Sequence, residues 1–520
     1  MPRSLAIISL VALAHLSFLS DTSIAEPATS MTNRAVPAPA PVTLIIHPEL
    51  LYGPASGPVE AERGMLFVPT NRANPDSGVI AIEIYRFPRS ADASPDVPPI
   101  FKLHGGPGWP GLGDALFNEG YYEEMVEPYT RVSDLVLIGQ RGIGSSSPDT
   151  LCQDPPADAM SPNLSEDELA TLVRDAATAC RDFWLERGLD LDGFTVIEAA
   201  ADVDDARKAL GYEQITLMGG SFGSHWGMAV MRFHPEIVAR AILTGMEGPD
   251  HTYDDPAGIL KVLERVAADA EDSAQLEGLV PEGGFVDALA TVIRQLDSDP
   301  ISVTVTNPET EESIEVLMGG DDLREIADGF LGRVEGRRPE ASWPAGVLAL
   351  QDGDFEAAAA RVARSQGQIS LPTASFFMLD CGSGITAERD ARFVNDPARD
   401  IVGDQNWYYR EICPIWNSDL GDDFRQNFET TIPTVIIHGD WDLSTPLENA
   451  LELAPYFKNG RMVLVRRGSH GAMREALRDI DGFREALDRF IVSGDMSDLP
   501  ESVELDEPDW VVPERTQEPG

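Results

Sequence analysis

The residues able to do nucleophilic chemistry fall in a fixed order along the chain. Gly219-Gly220-Ser221-Phe222-Gly223 follows the apolar run ITLM and precedes a helical stretch. GxSxG alone arises by chance in roughly one of several chains this long, so the strand-turn-helix setting carries the assignment. A strand that reverses so tightly into a helix needs small flanking residues. It also lifts the serine hydroxyl to the helix amino terminus, where amides favour developing negative charge. A serine needs a base, and the base needs a carboxylate to orient it. Asp442, in GDWDLSTP, follows the apolar run TVIIHGD, and His470, in GSHG, follows RMVLVRR. Ser221, Asp442 and His470 are the expected nucleophile, acid and general base of an acyl transfer, in the chain order serine, acid, histidine. Asp440 competes for the acid role, and Asp442, further out on its loop, is preferred. His438, inside a strand, and His225, inside the helix after the serine, read as structural.

Acyl transfer also needs donors for the oxyanion. His104-Gly105-Gly106-Pro107-Gly108 follows the run PPIFKL. Its glycines let backbone N–H groups turn toward the nucleophile. Gly106 and Phe222 are the expected oxyanion-hole amides, with Gly105 the alternative for the first. A phosphate-binding loop would need GxGxxG spacing or a Walker lysine, and both are missing. His104 is expected to support the loop. No cofactor and no metal is called for by this chemistry.

These residues must be held at one edge of a sheet. GMLFVPTN and GVIAIEIYRF read as an antiparallel pair. PPIFKLHGG, SDLVLIGQRG, QITLMGGS, VARAILTG, TIPTVIIHGD and GRMVLVRRGSH read as strands alternating with helices. That alternation implies an α/β fold with a mostly parallel sheet covered on both faces. Ligands in such folds bind at the carboxyl edge, where each motif lies. Residues 251–425 hold helical patterns such as LKVLERVAADAED and few clear buried strands, and read as a mainly helical cap inserted in the sheet. The core then occupies 42–250 and 426–495. Residues 26–41, rich in Pro, Ala, Ser and Thr, read as a flexible leader, and 496–520 as a mobile acidic tail.

The formal net charge of −48 makes nucleic acid and anionic membrane surfaces poor partners. Arg3, an apolar run from Leu5 to Leu19, and small residues at Ser23 and Ala25 form a signal peptide spanning 1–25. The expected location is secreted or periplasmic, without stable membrane insertion. Export favours disulfides. Cys152, Cys180, Cys381 and Cys413 hold no CxxC spacing, and of three possible pairings the sequence-local one, Cys152 with Cys180 and Cys381 with Cys413, is favoured. Buried free thiols are the alternative.

HGGPG at 104–108, QRGIGSSSP at 140–148, GGSFGS at 219–224, GDWDLSTP at 439–446 and GSHG at 468–471 together resemble the proline iminopeptidase and tripeptidyl aminopeptidase family of α/β-hydrolases. The resemblance implies release of residues from free peptide amino termini through an acyl-enzyme, with the helical insertion forming the substrate pocket. Two positions depart from it. Gly139 stands where the family has Asp before QRG, and Phe222 where many relatives have Trp. An aminopeptidase also needs carboxylates to hold the substrate ammonium. Glu247, in TGMEGPD, is the first candidate and Asp380 the second. The rival readings are a carboxylesterase using the same triad and a binding protein on the same fold. The partner in the enzymatic readings is a small peptide or ester.

Overall fold

The computed structural model describes residues 42–51, 57–108, 112, 120–154, 164, 166–306, 313–327, 338–366, 371–416 and 418–513. The expected signal peptide and leader lie outside them. Alternating apolar segments form a 10-stranded sheet in the order β1-β2-β3-β5-β4-β6-β7-β10-β11-β12. Its members are β1 Thr43–Leu51, β2 Val59–Pro69, β3 Val79–Phe87, β4 Ile100–Leu103, β5 Leu135–Ile138, β6 Ile215–Ser221, β7 Val238–Met246, β10 Thr434–Gly439, β11 Gly460–Arg466 and β12 Ser502–Glu504. β1, β2 and β3 run antiparallel to their neighbours, and every pair from β5 to β12 is parallel. The α/β class read from the sequence is the observed one. The central strands β4, β5 and β10 are buried at every position, as continuous apolar runs in a doubly covered parallel sheet must be.

Parallel pairing puts the carboxyl ends of β4, β6, β7, β10 and β11 on one rim. The helix Val196–Leu210 packs against the helix that follows Ser221, with Thr195 capping its start and Gly211 closing it at φ 79. Arg141, just past β5 and wholly buried, donates through Nη2 to Asp202 Oδ1 at 2.9 Å and through Nη1 to Thr70 O at 2.6 Å. It thereby fixes the loop after β5 to that helix.

Two features of the segment between β7 and β10 differ from the reading of a single helical cap. Helices Pro256–Glu271, Phe285–Ser298 and Pro339–Gln351 share a hydrophobic cluster of their own, whereas Ala374–Ser383 and Trp407–Trp416 pack into the cluster beneath the main sheet. The first part also carries an antiparallel hairpin, β8 Ile301–Thr306 with β9 Ser313–Met318. Its strands bury little on one face, so a search for continuous apolar runs passes over them. Residues 496–513 correct the expectation of a mobile tail, and 514–520 lie outside the described residues. β12 pairs with β11 through Leu464–Arg466, and Trp510 is buried against the cap cluster. Charge along the segment disguises the apolar anchors at Leu499, Leu505 and Trp510. Among the described residues no helix is long and apolar enough to cross a membrane.

The cysteines form Cys152–Cys180 and Cys381–Cys413 disulfides. Replacing both Cys152 and Cys180 by Ser is expected to lower stability by about 3 kcal/mol, read from denaturant unfolding. Peptide mapping of the unreduced protein should recover only these two linkages, and a Cys152 to Cys381 crosslink would contradict the fold.

Candidate active site

Ser221 ends β6 and caps the helix Phe222–Phe233 at φ 56, ψ −135. A residue with a side chain stays there only where its surroundings over-determine the backbone. Gly219 and Gly223 allow them to do so. A Cβ on Gly219 would lie 2.1 Å from Gly223 O, and one on Gly223 would lie 2.2 Å from Leu103 O. Either side chain would force the helix away from the sheet. Ser224 Oγ donates to Ser221 O at 2.7 Å and accepts from Glu247 N–H at 2.9 Å, joining the elbow to the end of β7.

Asp442 and His470 meet from separate loops. His470 Nδ1 lies 2.9 Å from both carboxylate oxygens of Asp442. The carboxylate is buried, and it also accepts from Ser444 N–H and Thr445 N–H at 3.0 Å each and from Thr445 Oγ1 at 2.8 Å. Burial pushes its pKa up, but the His470 charge and hydrogen bond outweigh that, so it stays below the usual carboxylate value. For His470, burial pulls downward while the Asp442 charge and hydrogen bond raise it above 6.5, and the balance is upward. The Nδ1 side is thus committed to Asp442, which leaves Nε2 for a substrate or the serine. The ring packs on β7, where a Cβ on Gly245 would come within 2.9 Å of Cε1, and the next residue, Met246, is the register partner of Ser221. Among the described residues no hydrogen bond joins Ser221 Oγ to His470.

The competitors occupy other places. Asp440 Oδ1 accepts from Arg467 N–H at 2.6 Å and fixes a turn in which Arg467 has φ 58. His438 accepts from Met246 N–H through Nδ1 and donates from Nε2 to Thr445 O at 2.8 Å, and burial depresses its pKa. His225 bridges Gly248 O and Ser383 Oγ at 2.9 Å each, with its pKa brought down to about 4 by burial. Both are neutral ties between elements.

The loop after β4 lies against the serine, with a Cβ on Gly105 falling 2.9 Å from Ser221 Cβ. Gln140, which sequence reasoning left unassigned, braces it. Gln140 Nε2 donates to His104 O at 3.2 Å and to Gly105 O at 3.0 Å, while its Oε1 accepts Gly108 N–H at 2.9 Å. In a trans peptide the N–H points opposite to the C=O. Holding those two carbonyls therefore turns the N–H groups of Gly105 and Gly106 away from Gln140. The QRG spelling was the available signal. His104 is half-buried, with a pKa brought down to about 3 by desolvation and by Lys102.

At Gly139 a Cβ would meet Glu83 O and Ser146 Oγ at 3.2 Å each. The carboxylate in this neighbourhood comes instead from Glu83 on β3, which lines a cavity of about 10 Å³ together with His104 and Gly139. Arg63 Nε donates to Glu83 at 2.9 Å. The sequence shows the family's acid missing at Gly139, and β3 supplies a carboxylate from across the sheet.

Glu247 is buried at the end of β7, with Oε1 4.0 Å from His225 Nδ1. Burial, and then the charges of Asp380 and Asp254, push its pKa well above the ordinary value. Asp380 is raised to about 8, chiefly by burial, although it accepts a 2.9 Å hydrogen bond from Tyr409 Oη. The Cys381–Cys413 disulfide joins the two helices bearing Asp380 and Tyr409. The structure therefore brings Glu247 and Asp380 into one desolvated acidic group. Two desolvated carboxylates so placed favour protonation or a neighbouring cation over two separate negative charges.

A mostly parallel sheet with a strained serine elbow and a buried carboxylate paired with a half-exposed histidine at its carboxyl rim is the arrangement of the α/β-hydrolase fold, and the chain has that fold. Residues 98–282 match the family described as alpha/beta hydrolase fold, and residues 400–501 match the family described as TAP-like protein. The relatives are peptidases. Serine protease Hip1 of Mycobacterium tuberculosis is 29% identical over 196 residues, which is 36% of this chain and 36% of that protein. Tripeptidyl aminopeptidase of Streptomyces coelicolor is 26% identical over 203 residues, 37% of this chain and 36% of that protein. Proline iminopeptidase of Neisseria gonorrhoeae is 25% identical over 171 residues, 33% of this chain and 40% of that protein. The chain thus spans little more than a third of the length of the curated relatives it matches.

Imidazole titration by nuclear magnetic resonance should place the His470 midpoint above 6.5. Asp442→Asn should bring that midpoint down, and Asp440→Asn should leave it unchanged. An unmoved midpoint in Asp442→Asn would refute the pairing.

Proposed function

We propose that the protein is an exported serine aminopeptidase that releases residues from free amino termini of short peptides through an acyl-enzyme. The observation that carries this reading is the bonded Asp442–His470 pair beside the rim that bears Ser221. His470 Nε2 takes the Ser221 Oγ proton as Oγ bonds to the scissile carbonyl carbon. The Gly106 and Phe222 amides hold the oxyanion. His470 then gives that proton to the leaving amine as the C–N bond breaks, and water, deprotonated by the same nitrogen, cleaves the ester. The Ser221–His470 hydrogen bond forms as substrate settles, a tightening common when a free enzyme takes up its substrate.

The amino-terminal preference is supported by the acidic group. A substrate ammonium beside Glu247 and Asp380 would return both to their ionised forms, and the bound amine would fix which peptide bond reaches Ser221. The peptidase relatives support the same direction. Two disulfides fit an oxidising location.

Ser221→Ala and His470→Ala should each reduce turnover by about a thousandfold or more. Glu247→Gln should raise KM for free-amine peptides by about ten- to a hundredfold, the loss of a charged hydrogen bond. It should leave hydrolysis of small acyl esters intact. N-acetylation of the peptide should mimic that loss in the wild-type enzyme. Equal rates on acetylated and free peptides would refute the amino-terminal preference, and turnover of esters alone would replace the aminopeptidase reading with the carboxylesterase one.

A further inference from the structure

Trp441 lies between Asp440 and Asp442, yet its buried ring belongs to the hydrophobic cluster of the inserted helices and not to that of the sheet. The Trp441 backbone N–H donates to Gly468 O at 2.9 Å, so the residue links the acid loop to the loop carrying His470. Two groups from distant parts of the chain close on it. Trp510, in the carboxyl-terminal segment, packs with ring centroids 5.9 Å apart and planes at 48°. Arg338, at the start of the helix Pro339–Gln351, sets its guanidinium carbon 5.3 Å from the Trp441 ring centroid.

Each is itself anchored. Trp510 donates from Nε1 to Glu507 Oε1 at 2.9 Å and from its backbone to Gln275 Oε1 at 3.1 Å, and Val511 N–H reaches Ala341 O at 3.0 Å. Arg338 Nη2 donates to Arg467 O at 2.7 Å, three residues before His470, and stands 4.0 Å from Glu475 Oε1. Glu475 in turn accepts from Ser469 N–H at 2.8 Å and Ser469 Oγ at 2.7 Å. One cap guanidinium therefore touches the acid loop through Trp441 and the histidine loop through the Arg467 carbonyl.

We propose that Arg338 and Trp510 are positioning residues for the hydrolysis, holding the Asp442 and His470 loops at the separation their hydrogen bond requires. The proposal rests on the serine-hydrolase reading above. It makes the cap and the carboxyl-terminal strap part of the support of the acid–base pair, in addition to any part in enclosing substrate. A planar guanidinium suits this place, because it stacks on an aromatic face while its fork donates sideways to a carbonyl.

The test uses the full chain and a fluorophosphonate, whose reaction with Ser221 needs the base but no peptide recognition. Trp510→Ala and Arg338→Met should each lower the second-order labelling rate by about ten- to a hundredfold, the scale of a small misplacement of catalytic groups. The acid limb of the labelling profile should move to lower pH, because Asp442, with His438 the other ionisable group at its carboxylate, then raises His470 less. With a peptide substrate the loss should fall on kcat, with KM unchanged. Trp510→Phe, which keeps a ring against Trp441, should recover most of the rate. Folded variants that label at the wild-type rate with an unmoved acid limb overturn the proposal, as does a loss confined to KM. Should Trp510→Ala fail to fold, Arg338→Met alone decides on the same criteria. Ser221→Ala that still labels at the wild-type rate would sink the serine-hydrolase reading instead.

Discussion

A carboxylate taken out of water is costly unless donors and an opposite charge replace its hydration. Asp442 meets that requirement with two backbone amides, a threonine hydroxyl and the His470 imidazole. No single segment can supply that set. β10 delivers the carboxylate, β11 delivers the imidazole, and the parallel pairing of these strands in register from Thr434 opposite Gly460 brings their following loops side by side. The strands that follow other connections then present the serine elbow, the glycine loop and Glu247 to the same rim. The length of the chain serves that meeting, since parallel neighbours need long crossovers to return to the same edge.

Much of this was legible in the sequence because the signals were local. Apolar runs ending in glycine-rich turns marked β4, β6, β10 and β11, and a two-glycine elbow could be read from the steric demands of a tight strand-to-helix turn. Asp442 was separable from Asp440 by its distance along the loop, and the structure separates them by partners, His470 for one and the Arg467 amide for the other. What escaped was set by contacts between distant segments. Glu83 lies far from Gly139 along the chain but opposite it across the sheet. Gln140 acts through carbonyls of another loop. The β8–β9 hairpin has half-exposed strands, whose polar alternation resembles a loop. The final segment looked mobile because acidic residues dominate it, while its order depends on three apolar anchors and a short pairing with β11.

The site divides electrostatically into two halves. In one, opposite charges are paired, and Asp442 and His470 each favour the other's ionised form. In the other, Glu247 and Asp380 are desolvated, Asp380 and Asp254 raise the cost of ionising Glu247, and Asp254 raises that of Asp380. The first arrangement suits a base that must accept a proton during the reaction. In the second, burial and like charge both favour the protonated forms of Glu247 and Asp380.

Covalent chemistry at one hydroxyl is the most direct test of the serine-hydrolase mechanism. A free-amine peptide anilide mixed with the full-length enzyme and acid-quenched during turnover can be followed by intact mass and peptide mapping. An ester of the peptidyl group on Ser221, absent from Ser221→Ala, is the predicted result. Rapid turnover with no adduct at Ser221, even under conditions chosen to slow deacylation, or an adduct on a different side chain, would contradict it.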